Sequence, residues 1–271
     1  MLGANPNPYG VFWLEIKKVL SDGNLLICNL PEKGKLKIPK IEVTIEPDLV
    51  FPALRGSDIE RWGFSQEIYM LLVNDPNNPL SGYKESVIKK NWPLTYNYLL
   101  KFKEVLLQRA LYKRFHSIAG NPFYSQYNIG DYTFSQFKVV WKAMSNDIYG
   151  TVVSFIKTPM EYKICVPLHT TSFFPIDNES EAHYLCAIIN SILVRDFIKS
   201  FSSAGRGFGT PSVMEHVGIP KYDPQNSLHL KLAEISKQCH QLKLEGIDEE
   251  IKKLEKENDA LVEELFGISH E

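Results

Sequence analysis

The chain has 271 residues, 44% of them hydrophobic and 23% charged, with a formal net charge of -2, which suits a globular protein of one large domain or two modest ones. No basic-then-apolar leader opens it and no apolar run reaches the roughly 18 residues of a membrane span, so the expected address is the cytoplasm, without a membrane partner. Cys28, Cys165, Cys186 and Cys239 are scattered through apolar or helical contexts; neither a disulfide framework nor a CxxC metal knuckle is indicated, and buried reduced thiols are expected.

In chain order, NPNPYG (5–10) reads as a turn entering the strand VFWLEI (11–16). NLLICNL (24–30) and KLKIPKIEVTI (35–45) follow as strands separated by SDG and EKG turns, giving a small antiparallel meander. FPALRGSDIERW (51–62) is bounded by proline, and EIYMLLV (67–73) is a further strand closed by NDPNNPLSG. The period then changes. In residues 94–115 Tyr98, Leu99, Phe102, Val105, Leu106 and Ala110 recur at helical spacing, so one helix is expected, starting near Pro93 or Thr95. FKVVWKAM (137–144), TVVSFI (151–156) and residues 161–176 form a second strand-rich block. Residues 180–203 read as a nearly continuous buried helix with Ser180 at its N-cap. The glycine-rich AGRGFGTPS and a last short strand or extended stretch at VGIP (217–220) come next, and from Ser227 two charged helical pieces each end at a glycine suited to a helix C′ position.

Charge is distributed unevenly. Residues 84–114 carry eight bases against two acids, whereas residues 241–271 carry four lysines against ten acids. The near-neutral total therefore does not exclude a polyanionic partner.

Two lures for catalysis fail on context. Asn7-Pro8-Tyr9 approaches the Asn-Pro-Pro-Tyr tetrapeptide of amino-methyltransferases, but the tandem prolines are missing and only six residues precede Asn7, leaving no room for an S-adenosylmethionine pocket upstream. The Gly205–Gly209 run follows a helix and precedes an extended segment, the reverse of a phosphate-binding loop. The seven histidines show no HxxxH or HExxH spacing, and neither a GxSxG elbow nor a nuclease signature is found. No catalytic, cofactor-binding or metal residue is assigned in this chain.

Several segments together carry a resemblance. FPALRGSDIERW (51–62), YNIGDYTFSQFKVVWKAM (127–144), EAHYLCAIINSILVRDFI (181–198), VGIPKYD (217–223) and LVEELFGISHE (261–271) occur in this order over roughly 220 residues. They resemble the TaqI-like C-terminal specificity domain, the target recognition domain of type IIG restriction-modification enzymes and adenine-specific DNA methyltransferases. The resemblance implies double-stranded DNA as partner. It also implies a methyltransferase domain or subunit, with or without a nuclease, that binds S-adenosylmethionine and carries the Asn-Pro-Pro-Tyr motif; the chain is then the specificity portion of that enzyme, not catalytic by itself.

The expected fold is α+β: a recognition domain of short strands with long packed helices over 1–225, and a C-terminal helical pair over 226–271 packing intramolecularly. Arg55, Asp58, Arg61, Lys138, Lys142 and Arg206 are the candidate DNA-binding residues, by side-chain type and position in the motifs. Asp58 equally suits a bidentate pair that fixes Arg55 or Arg61, and LRGSDIERW suits turn shaping or docking as well as DNA contact. Trp62 and Trp141 are expected as core anchors. Two other classes of function stay open: a divergent S-adenosylmethionine-dependent methyltransferase, and a protein assembly module of a phage-defence system.

Overall fold

The structure, a computed structural model, describes residues 1–31, 37–202, 205–206 and 208–268. The strands that build its two main sheets are, in chain order, β1 (Trp13–Val19), β2 (Leu25–Asn29), β3 (Glu42–Ile45), β4 (Val50–Leu54), β5 (Ile68–Leu71), β6 (Phe137–Lys142), β7 (Gly150–Val153), β8 (Val166–Pro167) and β9 (Thr171–Ile176). The helices that cover them are α1 (Glu85–Asn91), α2 (Pro93–Leu100), α3 (Lys103–Leu107), α4 (Glu179–Ile189), α5 (Ile192–Phe201), α6 (Ser227–Glu245) and α7 (Asp248–Leu265). The class is α+β, as expected.

The larger sheet has the order β8-β4-β5-β1-β2-β3. Its neighbours are antiparallel except β8, which returns from the second half of the chain to lie parallel to β4, with Val166 opposite Ala53. Strand alternation sends Leu14 and Leu71 to one face and Trp13 and Met70 to the other. The first face packs with Tyr98, Leu99, Phe102 and Leu106; the second packs with Ala4, Ile129 and Leu168. Both faces are thus covered.

The smaller sheet, β7-β6-β9, is antiparallel, with Val139 opposite both Val152 and Phe174. Val139 and Trp141 face a core shared with Tyr184, Leu232, Cys239 and Val262. The helical pair α6–α7 therefore buries its apolar stripe in the same core as β6 and α4, and the predicted intramolecular packing is observed. Both helices end as expected at left-handed glycines, Gly246 at φ 74° and Gly267 at φ 68°.

Two helices differ from expectation. The segment 94–115 is divided into α2, α3 and a wide π-type turn at Tyr112–His116. At the second of its two interruptions, residues 108–111, the buried Arg109 side chain donates to the carbonyls of Leu106, Asn7, Ser125 and Phe123, which ties this stretch to two distant loops. The segment 180–203 splits at Asn190–Ser191, where the Asn190 side chain bridges both backbone groups of Gly150 and Ser191 caps a new helix through Val194 N–H. Asn178, not Ser180, caps the first part, accepting from Glu181 N–H. VGIP forms no strand.

All four cysteines are buried and unpaired. Among the described residues no helix is long and apolar enough to cross a membrane.

Candidate nucleic-acid interface

The FPALRGSDIERW segment folds into a strand, a tight turn and a short hairpin. Arg55 donates from its backbone N–H to Asp58 Oδ2 at 2.8 Å, and from Nη2 to Asp58 Oδ1 and Glu67 Oε2, each at 2.7 Å. Gly56 belongs in this turn because a Cβ there would stand 2.7 Å from the Thr170 carbonyl oxygen. Arg61 Nη1 donates to the Asn190 carbonyl at 3.1 Å and to Glu255 Oε1 at 3.2 Å. Trp62 takes a left-handed conformation, φ 61°, and is buried in the helical core. Bidentate pairing leaves Asp58 and Arg55 occupied with each other.

The remaining candidates divide in the same way. Lys138 is completely buried, and its Nζ donates to the Ser135 carbonyl at 2.7 Å. Burial pulls its ammonium down to about 8. Strand alternation explains the position: Lys138 shares a face of β6 with Val140, and that face packs on Leu54, Cys165 and Phe173. Lys142 is half-buried and its Nζ donates to the Tyr149 hydroxyl at 2.7 Å. The Arg206 side chain lies outside the described residues; its backbone pairs with Met144. Arg55, Asp58, Arg61 and Lys138 are thus placed in intramolecular roles, and only Lys142 and the backbone of residue 206 come to one edge.

Exposed cations are concentrated elsewhere, on α1–α3 and the turn that follows. Ile88, Leu99, Phe102 and Leu106 bury the apolar side of these helices against the large sheet, so their lysines point outward. Glu46 fixes the arrangement at its centre, since its carboxylate accepts from Leu94 N–H and Thr95 N–H, each at 2.8 Å, and from the Thr95 hydroxyl at 2.7 Å. Lys84, Lys90, Lys101, Lys103, Lys113 and Arg114 are exposed, and no carboxylate pairs with them among the described residues. Lys89 pairs with Glu85 at 2.7 Å. Arg109, from the same basic run, is buried and structural.

A cleft of about 590 Å³ opens on this surface, lined by Lys84, Lys103, Asp75, Glu85, Asn121 and Phe123 among others. Glu85 is partly neutralised there by Lys89 and by the Tyr96 hydroxyl, which donates to it at 2.5 Å. These two contacts hold the Glu85 carboxyl below its usual range, Lys89 contributing most. Beyond the cleft, Phe115 and Ile118 stand 53% and 82% exposed beside Lys113 and Arg114. A surface with unpaired cations and projecting apolar side chains is able to grip a phosphate backbone and to contact unstacked bases. Among the described residues no group of three His, Cys, Asp or Glu is placed to hold a metal ion.

The run of bases in 84–114 signalled this face, but not which members are free, because separating Arg109 from Lys113 requires the three-dimensional path of the chain. Comparison with protein-family models and with curated proteins gives no match.

Proposed function

We propose that this chain is a DNA target recognition unit that selects the sequence for an adenine-N6 DNA methyltransferase or a type IIG restriction-modification enzyme. Its partners in this reading are duplex DNA and a methyltransferase domain or subunit; S-adenosylmethionine binds that partner, not this chain, and the assembly works in the cytoplasm. The observation that carries the reading is the set of six exposed cations on and between α1–α3 and in the following turn that form no ion pair among the described residues. Lysine and arginine in this state release counterions from DNA when they meet phosphates. The ordered resemblance of five segments to the TaqI-like specificity domain supports the same assignment.

The recognition residues are accordingly sought on this face and at the Lys142 edge, while LRGSDIERW shapes the frame that holds them. The test is selection from a randomised duplex pool at two salt concentrations, with sequencing of the bound fraction. Salt-sensitive binding with an enriched short motif is the expected result; no retained duplex at low salt would reject the reading.

A further inference from the structure

Between the two main sheets the chain makes a hairpin that belongs to neither. It leaves β7 at Val153 and returns as β8 at Val166, and its strands, Phe155–Lys157 and Tyr162–Ile164, pair antiparallel with Phe155 opposite Ile164 and Lys157 opposite Tyr162. A two-stranded hairpin is marginal by itself. Ile156 and Lys163, opposite each other on the inward face, anchor this one: Ile156 packs on the core of Leu54, Val140 and Phe173, and Lys163 Nζ donates to the carbonyls of Pro47 and Asp48 at 2.6 and 2.9 Å. The Thr158 hydroxyl closes the turn by donating to the Glu161 carbonyl at 2.6 Å, and Ser154 Oγ ties the base to the Gln136 carbonyl at 2.8 Å.

Strand alternation turns Phe155, Lys157 and Tyr162 to the opposite, outer face. Phe155 is 51% and Tyr162 66% exposed, and neither ring stacks on another aromatic side chain among the described residues. Lys157 is exposed beside them and forms no ion pair among the described residues, since the single acid of the hairpin, Glu161, lies 3.7 Å from Lys163 Nζ. The face is anchored, aromatic and carries one free positive charge. It also adjoins the basic layer. Met160, at the turn, packs on the core beneath α2 and α3 that holds Tyr98 and Phe102, and Pro47 and Asp48, which Lys163 grips, follow directly on Glu46, the residue that seats the start of α2.

We infer that this outer face stacks two unpaired bases of a DNA strand, one on Phe155 and one on Tyr162, with Lys157 meeting the adjoining phosphate. The proposal rests on the DNA reading above and deepens it, because it names a single strand as a second form of the ligand. Phe155 and Tyr162 are diagonal neighbours on adjacent strands, a spacing of about 7–8 Å. That is roughly twice the rise of about 3.4 Å between stacked bases, so two successive bases reach both rings only when unstacked from each other, as in a single strand. Every base has a face for such a ring, and a lysine beside the rings supplies the phosphate contact. A paired duplex hides those faces and gains nothing from this hairpin.

The experiment measures the anisotropy of a short labelled oligothymidylate and of a perfectly paired duplex, each titrated with the full chain. The wild type is expected to bind both. Phe155→Ala and Tyr162→Ala are each expected to weaken oligothymidylate binding about tenfold and to leave duplex affinity unchanged, while Tyr162→Phe, which keeps the ring, is expected to bind like the wild type. Lys157→Gln should lower the salt slope for oligothymidylate by about 0.7. Both aromatic side chains are more than half exposed, so the variants are expected to fold, with melting temperatures close to that of the wild type. Oligothymidylate bound equally by the wild type and both alanine variants, or not bound by the wild type, would overturn the stacking face; duplex binding in the same experiment would leave the DNA reading intact. Oligothymidylate binding that the alanine variants lose, without any duplex binding, would support the face and reject the duplex reading.

Discussion

Trp62 donates its indole N–H to Glu255 Oε1 at 2.8 Å, joining residues 193 positions apart. The same carboxylate oxygen accepts from Arg61 Nη1. The end of the LRGSDIERW segment is thereby fastened to α7, and the small-sheet half of the protein closes around that contact.

Glu255→Ala is expected to lower unfolding free energy by about 1–3 kcal/mol, the cost of leaving buried donors without an acceptor. Glu255→Gln keeps one acceptor and should recover part of the loss. Urea denaturation of the three proteins checks this, and equal stability of all three would show that the contact contributes nothing.

Arg109 sits in the most basic stretch of the chain yet serves the interior. Arg109→Lys keeps the charge but replaces a planar fork with a point donor, stranding carbonyls among Asn7, Phe123 and Ser125. Each buried carbonyl that loses its partner costs about 1–3 kcal/mol, so a total loss of about 3 kcal/mol or more is expected in the same assay. A fully stable variant would contradict the structural role.

Much of the fold was legible because local periodicity reports local structure. The alternation in EIYMLLV and FKVVW announces strands, and Gly246 and Gly267 announce helix ends. Long-range events were not legible. Nothing near Val166 indicates that it pairs in parallel with Ala53, nothing near Asn190 that its amide engages Gly150, and the second covered face of β6 turns Lys138 from a surface cation into a core residue. For the candidate site, charge density pointed to the region where exposed cations gather, whereas motif membership drew attention to Arg55, Arg61 and Lys138, which bond within the protein.

His183 and His240 sit with rings 4.9 Å apart and nearly perpendicular. His240 donates from Nδ1 to the Ser236 carbonyl and accepts at Nε2 from Val152 N–H, a pattern that only the neutral ring satisfies. Burial foremost, with the neighbouring His240 adding to it, pushes His183 down to about 3; burial pushes His240 down to about 4, both from 6.5. Below pH 6.5 the unfolded chain binds protons that the folded chain refuses, so stability falls as pH falls from about 6.5 toward 4. The slope is at most about 1.4 kcal/mol per pH unit for each histidine. Denaturation series at pH 7, 6 and 5 measure it; a flat profile would contradict the buried neutral pair.

In the proposed function the exposed cations of α1–α3 and the following turn meet DNA phosphates. The most direct measurement is the salt dependence of duplex affinity for the wild-type chain, for a variant with Lys84, Lys103, Lys113 and Arg114 each changed to Gln, and for Lys138→Met as a buried-lysine control. Each phosphate contact removed should lower the slope of log K against log salt by about 1, so the fourfold variant should bind weakly with a much shallower slope, while Lys138→Met should match the wild type. Unchanged affinity and slope in the fourfold variant would contradict the account.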